Sequence, residues 1–83
     1  GKELLSLVAK GPKEGILAEL RGYQGVEDVQ LRGEQEGGTR YEIRAERDLR
    51  EGIYNLAVNR GWTILELHRE IASLEDIFRE LTR

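Results

Sequence analysis

An α+β domain built on a four-stranded antiparallel sheet is the fold class that this 83-residue sequence predicts. Three observations predict it. Apolar residues recur at period two, or in short unbroken runs, in four places along the chain, which is the signature of strands. Two intervening stretches carry apolar residues at helical spacing, each opened by a Pro or Asp and closed by a Gly. A polar, glycine-rich run separates the second and third strand stretches with no helix between them, as a hairpin requires.

The first strand is expected over Glu3–Ala9, where Leu4, Leu5, Leu7, Val8 and Ala9 form a nearly continuous apolar run. Such a run suits a strand buried on both faces. Gly11-Pro12 ends it, and Pro12 suits the first position of a helix because it has no N–H to leave unpaired. That helix runs from Pro12 to Arg21 with Ile16, Leu17 and Leu20 inward, and Gly15 weakens its first turn. Val26–Arg32 is the second strand, with Val29 and Leu31 on one face, and Gly33–Gly38 is the turn. Thr39–Glu46 alternates: Tyr41, Ile43 and Ala45 inward, Arg40, Glu42, Arg44 and Glu46 outward. Asp48 with Glu51 signals a second helix to Asn59, with Leu49, Ile53, Leu56 and Ala57 on its inner stripe and Gly61 as its stop. Trp62–Ile71 is the fourth strand, with Leu65 and Leu67 on the core side.

The order βαββαβ with a central hairpin is the split βαβ arrangement of ferredoxin-like domains. Right-handed crossovers place both helices on one face of the sheet, with the first and third strands central. A further C-terminal helix follows. Ser73 is its N-cap, and Glu75 and Asp76 lie near the positive end of its dipole. Leu74, Ile77, Phe78 and Leu81 form one apolar stripe, with Glu75, Arg79, Glu80 and Arg83 outside it. So short a helix is marginal alone, so the stripe is expected to dock.

The ending Gly61-Trp62-Thr63-Ile64-Leu65-Glu66-Leu67, followed by Ser73-Leu74-Glu75-Asp76-Ile77-Phe78-Arg79-Glu80-Leu81-Thr82, also resembles a known family. It is similar to the C-terminal accessory domain of the ATP-binding subunits of prokaryotic ABC transporters, whose last helix carries a Ser-Leu-Glu-Asp-(Ile/Val)-Phe run. The resemblance is specific over Ser73–Phe78 and weaker over the rest of the chain. It implies that residues 1–83 are a single accessory domain at the end of a longer ATP-binding protein. The opening Gly1, where a Met would stand, fits such a piece.

Composition narrows the function classes. There are no cysteines, which excludes disulfides and thiolate metal sites, and a single histidine excludes multi-histidine zinc patterns. The net charge of −3, with signs interspersed, opposes a nucleic-acid surface, which needs clustered Lys and Arg. No apolar run reaches membrane-spanning length, and the start lacks the basic and apolar regions of a signal peptide. Gly33–Gly38 lacks the Gly-Lys-Ser/Thr ending of a phosphate loop, so the fragment is expected to bind no nucleotide.

The remaining candidates read as structure. His68, among Glu66, Arg69 and Glu70, falls on the more polar face of its strand and reads as a surface histidine near carboxylates rather than a general base, which needs a positioned partner and a pocket. Glu75 and Asp76 are explained by the cap rather than by catalysis or metal binding. Arg40, Arg44, Arg47 and Arg50 interleave with Glu42, Glu46, Asp48 and Glu51, as pairs of opposite sign do. Tyr41 points toward the helices, so the sheet offers no base-stacking platform. Trp62 is expected to plug one end of the core. The packing and interface candidates are Leu74, Ile77, Phe78 and Leu81 on the last helix, and Leu4, Val8 and Ile64 on the sheet face away from the helices.

No catalytic, cofactor or metal residue is therefore expected. The resemblance implies a structural or regulatory domain, cytoplasmic and peripheral to the inner membrane, without enzymatic activity of its own. Its partners would be its own ATP-binding domain, the membrane permease subunits and, through the sheet, a second copy in a homodimer. The second reading is a metabolite-sensing regulatory module of ACT-like type, with ligand at the glycine-bearing loops Gly11-Pro12 and Gly25. A pure sensor gives no reason for the Ser73–Leu81 helix.

Overall fold

A computed structural model of the chain describes residues 2–71. Over these, the order is β1 (Glu3–Lys10), α1 (Lys13–Arg21), β2 (Val26–Gln35), β3 (Gly38–Ala45), α2 (Arg50–Arg60) and β4 (Thr63–Arg69). The sheet is antiparallel throughout, in the order β2-β3-β1-β4. This is the ferredoxin-like arrangement, with β1 and β3 central. The expected terminal helix at Ser73–Leu81 lies outside the described residues.

One core forms between the sheet and the two helices. Leu5, Leu7 and Ala9 of β1 and Tyr41, Ile43 and Ala45 of β3 meet Ile16, Leu17 and Leu20 of α1 and Ile53 and Ala57 of α2. Each fully buried Leu or Ile contributes roughly 1.5–3 kcal/mol. Pro12 stands just ahead of α1, and its carbonyl accepts the Ile16 N–H at 2.8 Å. At the far end of α2, Gly61 takes a left-handed conformation with φ 77°. That lets the Trp62 N–H return to the Ala57 carbonyl at 2.9 Å, as in a Schellman close. Trp62 then seals the end of the core against Ile16, as expected, and Gly11 leaves space for both.

Three local details depart from the sequence reading. The hairpin turn is only Glu36-Gly37, with φ of 54° and 83°. Positive φ at both central residues is what a type I′ turn demands. β2 reaches Gln35 by absorbing Gly33 in a bulge, where the pairing jumps from Leu31–Tyr41 to Glu34–Thr39. In β4, Val8 faces Glu66 but Ala9 faces Ile64, so Leu65 is an extra residue. A bulge shifts the alternation by one. Ile64 therefore joins Leu67 against the helix-side core, and Leu65 does not. Both assignments, Ile64 away from the helices and Leu65 toward them, are corrected. At α2, Leu49 occupies the cap position without a side-chain bond, and Asp48 instead accepts the Arg50 N–H at 3.1 Å.

Two glycines predict opposite responses to the same change. A Cβ on Gly38 would lie 2.8 Å from the Ala9 carbonyl oxygen of the adjacent central strand, which cannot retreat. Gly38→Ala should cost about 1–3 kcal/mol in urea unfolding. At Gly15 the nearest atom to a new Cβ is Pro12 Cβ at 3.5 Å, an ordinary contact. Gly15→Ala should add about 0.5–1 kcal/mol through helix propensity. Equal responses at the two positions would contradict the β1–β3 close approach.

Candidate functional site

Two surfaces are candidates: the sheet face opposite the helices, and a groove beside α1. The first is built by alternation. Leu4, Ser6 and Val8 of β1, Arg40, Glu42 and Arg44 of β3, and Glu66 and His68 of β4 project from it. Ser6 and Val8 are nevertheless fully buried. Around them the polar side chains are tied to one another. Arg40 Nε donates to Ser6 Oγ at 3.1 Å, and its terminal nitrogen reaches Glu70 at 3.3 Å. Arg32 pairs with Glu42 at 2.9 Å across the hairpin. That bond raises the Arg32 guanidinium above its usual range.

Gln35 and Glu66 show how strongly this face curls. They sit on opposite edge strands, about 14 Å apart in a flat sheet. Yet Gln35 Nε2 donates to Glu66 at 3.2 Å. Twist brings the edges together, and Gly38, in the path between them, adds no side chain. Leu65 bends into the same place, with Cδ1 at 3.2 Å from where a Gly38 Cβ would stand.

His68 lies on this polar face, as alternation predicts. Its Nδ1 is 3.3 Å from Glu66 and its Nε2 is 3.3 Å from Glu70. Among the described residues, no group of three or more His, Asp or Glu side chains is placed to hold a metal ion. Nor is any helix there long and apolar enough to cross a membrane. A small depression of about 220 Å³ on this face is lined by Leu4, Asp28, Gln30, Arg32, Glu42 and Arg44. The amide of Gln30, bonded to Asp28 at 3.0 Å, lowers that carboxyl below its ordinary range.

The second surface was not singled out from sequence. Pro12, Gly15, Ala18 and Gly22 line one side of an open groove of about 610 Å³, with Trp62 at its end and the Arg60–Glu19 ion pair at its rim. Its signal was present in the chain: Gly15, Ala18 and Gly22 recur at helical spacing, and Gly15 reads at first only as a weak point. The two glycine-bearing loops are tightly packed at the glycines themselves. Ile16 and Trp62 occupy the space over Gly11, while Arg47 and Leu49 crowd Gly25.

Of the packing candidates, Val8 is buried on the far face, Leu4 is half-buried beside it, and Ile64 belongs to the helix side. Leu74, Ile77, Phe78 and Leu81 lie outside the described residues. The outer face of α2 exposes Tyr54 and Val58. The arginines do pair with acids, but locally rather than across strands within the interleaved set: Arg47 with Glu46 and Arg50 with Asp48, while Arg40 reaches outside it to Glu70.

Two predictions come from these contacts. The Tyr41 hydroxyl is buried near Thr39 but makes no well-formed hydrogen bond among the described residues, and burial raises its phenol above the usual range. An unmade buried bond costs about 1–3 kcal/mol. Tyr41→Phe should thus leave stability unchanged or raise it, and a clear loss in a denaturant melt would reveal a partner. Asp48 is held down to about 2 by the Arg50 side chain and backbone N–H. A depressed carboxyl contributes its stability above its unfolded value and loses it as pH falls toward the folded one. Carboxyl NMR titration should find the Asp48 midpoint near 2, and Arg50→Gln should move it up toward the ordinary carboxylate range.

No protein-family model matches the chain, and no curated protein matches it either.

Proposed function

We propose that this chain is the C-terminal accessory domain of an ABC transporter ATP-binding subunit, and that it acts by holding partners rather than by chemistry. What carries the reading is the unbroken Ser73-Leu74-Glu75-Asp76-Ile77-Phe78 run placed directly after a ferredoxin-like βαββαβ unit. The described surface supports it by its character. Its charged groups are engaged with each other in exposed ion pairs, and its larger groove is lined by small residues and one indole. Such surfaces suit contact with protein better than turnover of a substrate. On this reading the domain binds no ATP. It is attached to a nucleotide-binding domain on the cytoplasmic side of the inner membrane, and supports or regulates that domain as it drives a separate permease.

The test has two parts. The coding sequence upstream of Gly1 should contain a phosphate-binding loop followed by the other nucleotide-binding motifs of such subunits. The 83-residue chain should give no heat with Mg-ATP in calorimetry. Micromolar ATP binding by this chain would overturn the reading. A saturable thermal shift with an amino acid, in a gene lacking upstream nucleotide motifs, would replace it with the sensor.

A further inference from the structure

We infer that the sheet face carrying Leu4, Ser6 and Val8 is a docking surface for the chain's own residues 72–83. The argument stands whether or not the domain serves a transporter. Ser6 and Val8 point away from α1 and α2, yet neither exposes any surface. An antiparallel sheet without a second layer leaves its outer face in water. The described side chains nearby supply polar contacts but no continuous apolar layer: Arg40 and Glu70, each about a third exposed, reach Ser6 and each other, and Gln35 reaches across to Glu66, the neighbour of Val8 on β4.

Position and length select the occupant. The Glu70 N–H donates to the Leu4 carbonyl at 2.8 Å, so β4 ends beside the first residue of this strip. The Glu70 side chain already turns onto the same face, to Arg40. The strip from Leu4 to Val8 is four strand steps, about 13 Å. A helix over Ser73–Thr82 would be about 15 Å long. Its one apolar stripe, Leu74, Ile77, Phe78 and Leu81, fits a surface of that length. The groove at Trp62 is the other place for such a stripe. It starts at the opposite end of β4, about 20 Å from where the segment departs.

The chain has no cysteine, so thiol chemistry can read this directly in the full-length protein. Leu4→Cys with Leu74→Cys, treated with a short bis-maleimide, should cross-link within one molecule. Gly15→Cys with Leu74→Cys, across the groove, should not. A link only between molecules would make a second copy the occupant, and a link from the groove position would make the groove the dock. Either result, or no link at all, overturns the inference. As an independent measurement, Val8→Cys should react with a soluble disulfide reagent at least about tenfold more slowly than the same cysteine combined with Phe78→Asp. Equal rates in the two would likewise overturn it, because the cover would then owe nothing to the segment.

Discussion

The two-sided burial of β1 is the constraint on which the rest of the structure depends. Leu5, Leu7 and Ala9 face the helices, while Ser6 and Val8 face the other way, and all five are buried. A strand with no wet side cannot sit at an edge or on a bare sheet. It needs β3 and β4 to satisfy its backbone on both sides and a layer on each face. The crossovers through α1 and α2 supply one layer and fix β1 beside β3. The ferredoxin-like order thus follows from one apolar run near the N-terminus, given two helices and a hairpin to place around it.

That much was legible. The period-two pattern of Thr39–Glu46 and the apolar run of β1 each name their strand and its exposure. Gly11-Pro12 and Gly61 bound the helices for backbone reasons that hold in any context. The bulge in β4 was not legible. Ile64, Leu65 and Leu67 are all apolar, so strict alternation selects Leu65 with Leu67, while one inserted residue selects Ile64 with Leu67. Both patterns bury two large aliphatics, and local preference cannot separate them. The choice is made by how β4 must follow the curl of β1 opposite Val8 and Ala9. The hairpin misled differently. The polar, glycine-rich run from Gly33 to Gly38 looks like loop, but Gly33 serves a bulge, and the reversal itself takes only two residues.

The candidate surfaces show the same division. Alternating charge along β3 foretells that Arg40 and Arg44 stand on the outer face with Glu42, because alternation is local. It does not foretell that Gln35 and Glu66 meet from opposite edges, since that contact depends on accumulated twist over four strands. The α1 groove was hidden for another reason. Gly15, Ala18 and Gly22 lack the size that marks a contact face, and their meaning appears only when Trp62 and Arg60 arrive from another element.

The exposed ion pairs bear on how the outer face works. Pairs such as Arg32–Glu42 and Arg69–Glu3 leave the arginine about half in water and the carboxylate partly so. Each is therefore worth at most about 1 kcal/mol. Their sum is small beside a core that buries fourteen of the described residues, so they do not hold the fold. They do bind the charges on the sheet into a fixed pattern, with Arg40 joining β3 to Ser6 on β1 and to Glu70 beyond β4. A group that meets this face meets a surface whose donors are largely engaged. It gains mainly by covering apolar atoms between them, where an unpaired charge would carry a desolvation cost. The strip along β1 is therefore a short apolar line, Val8 with half-buried Leu4, set among side chains whose charges are already paired.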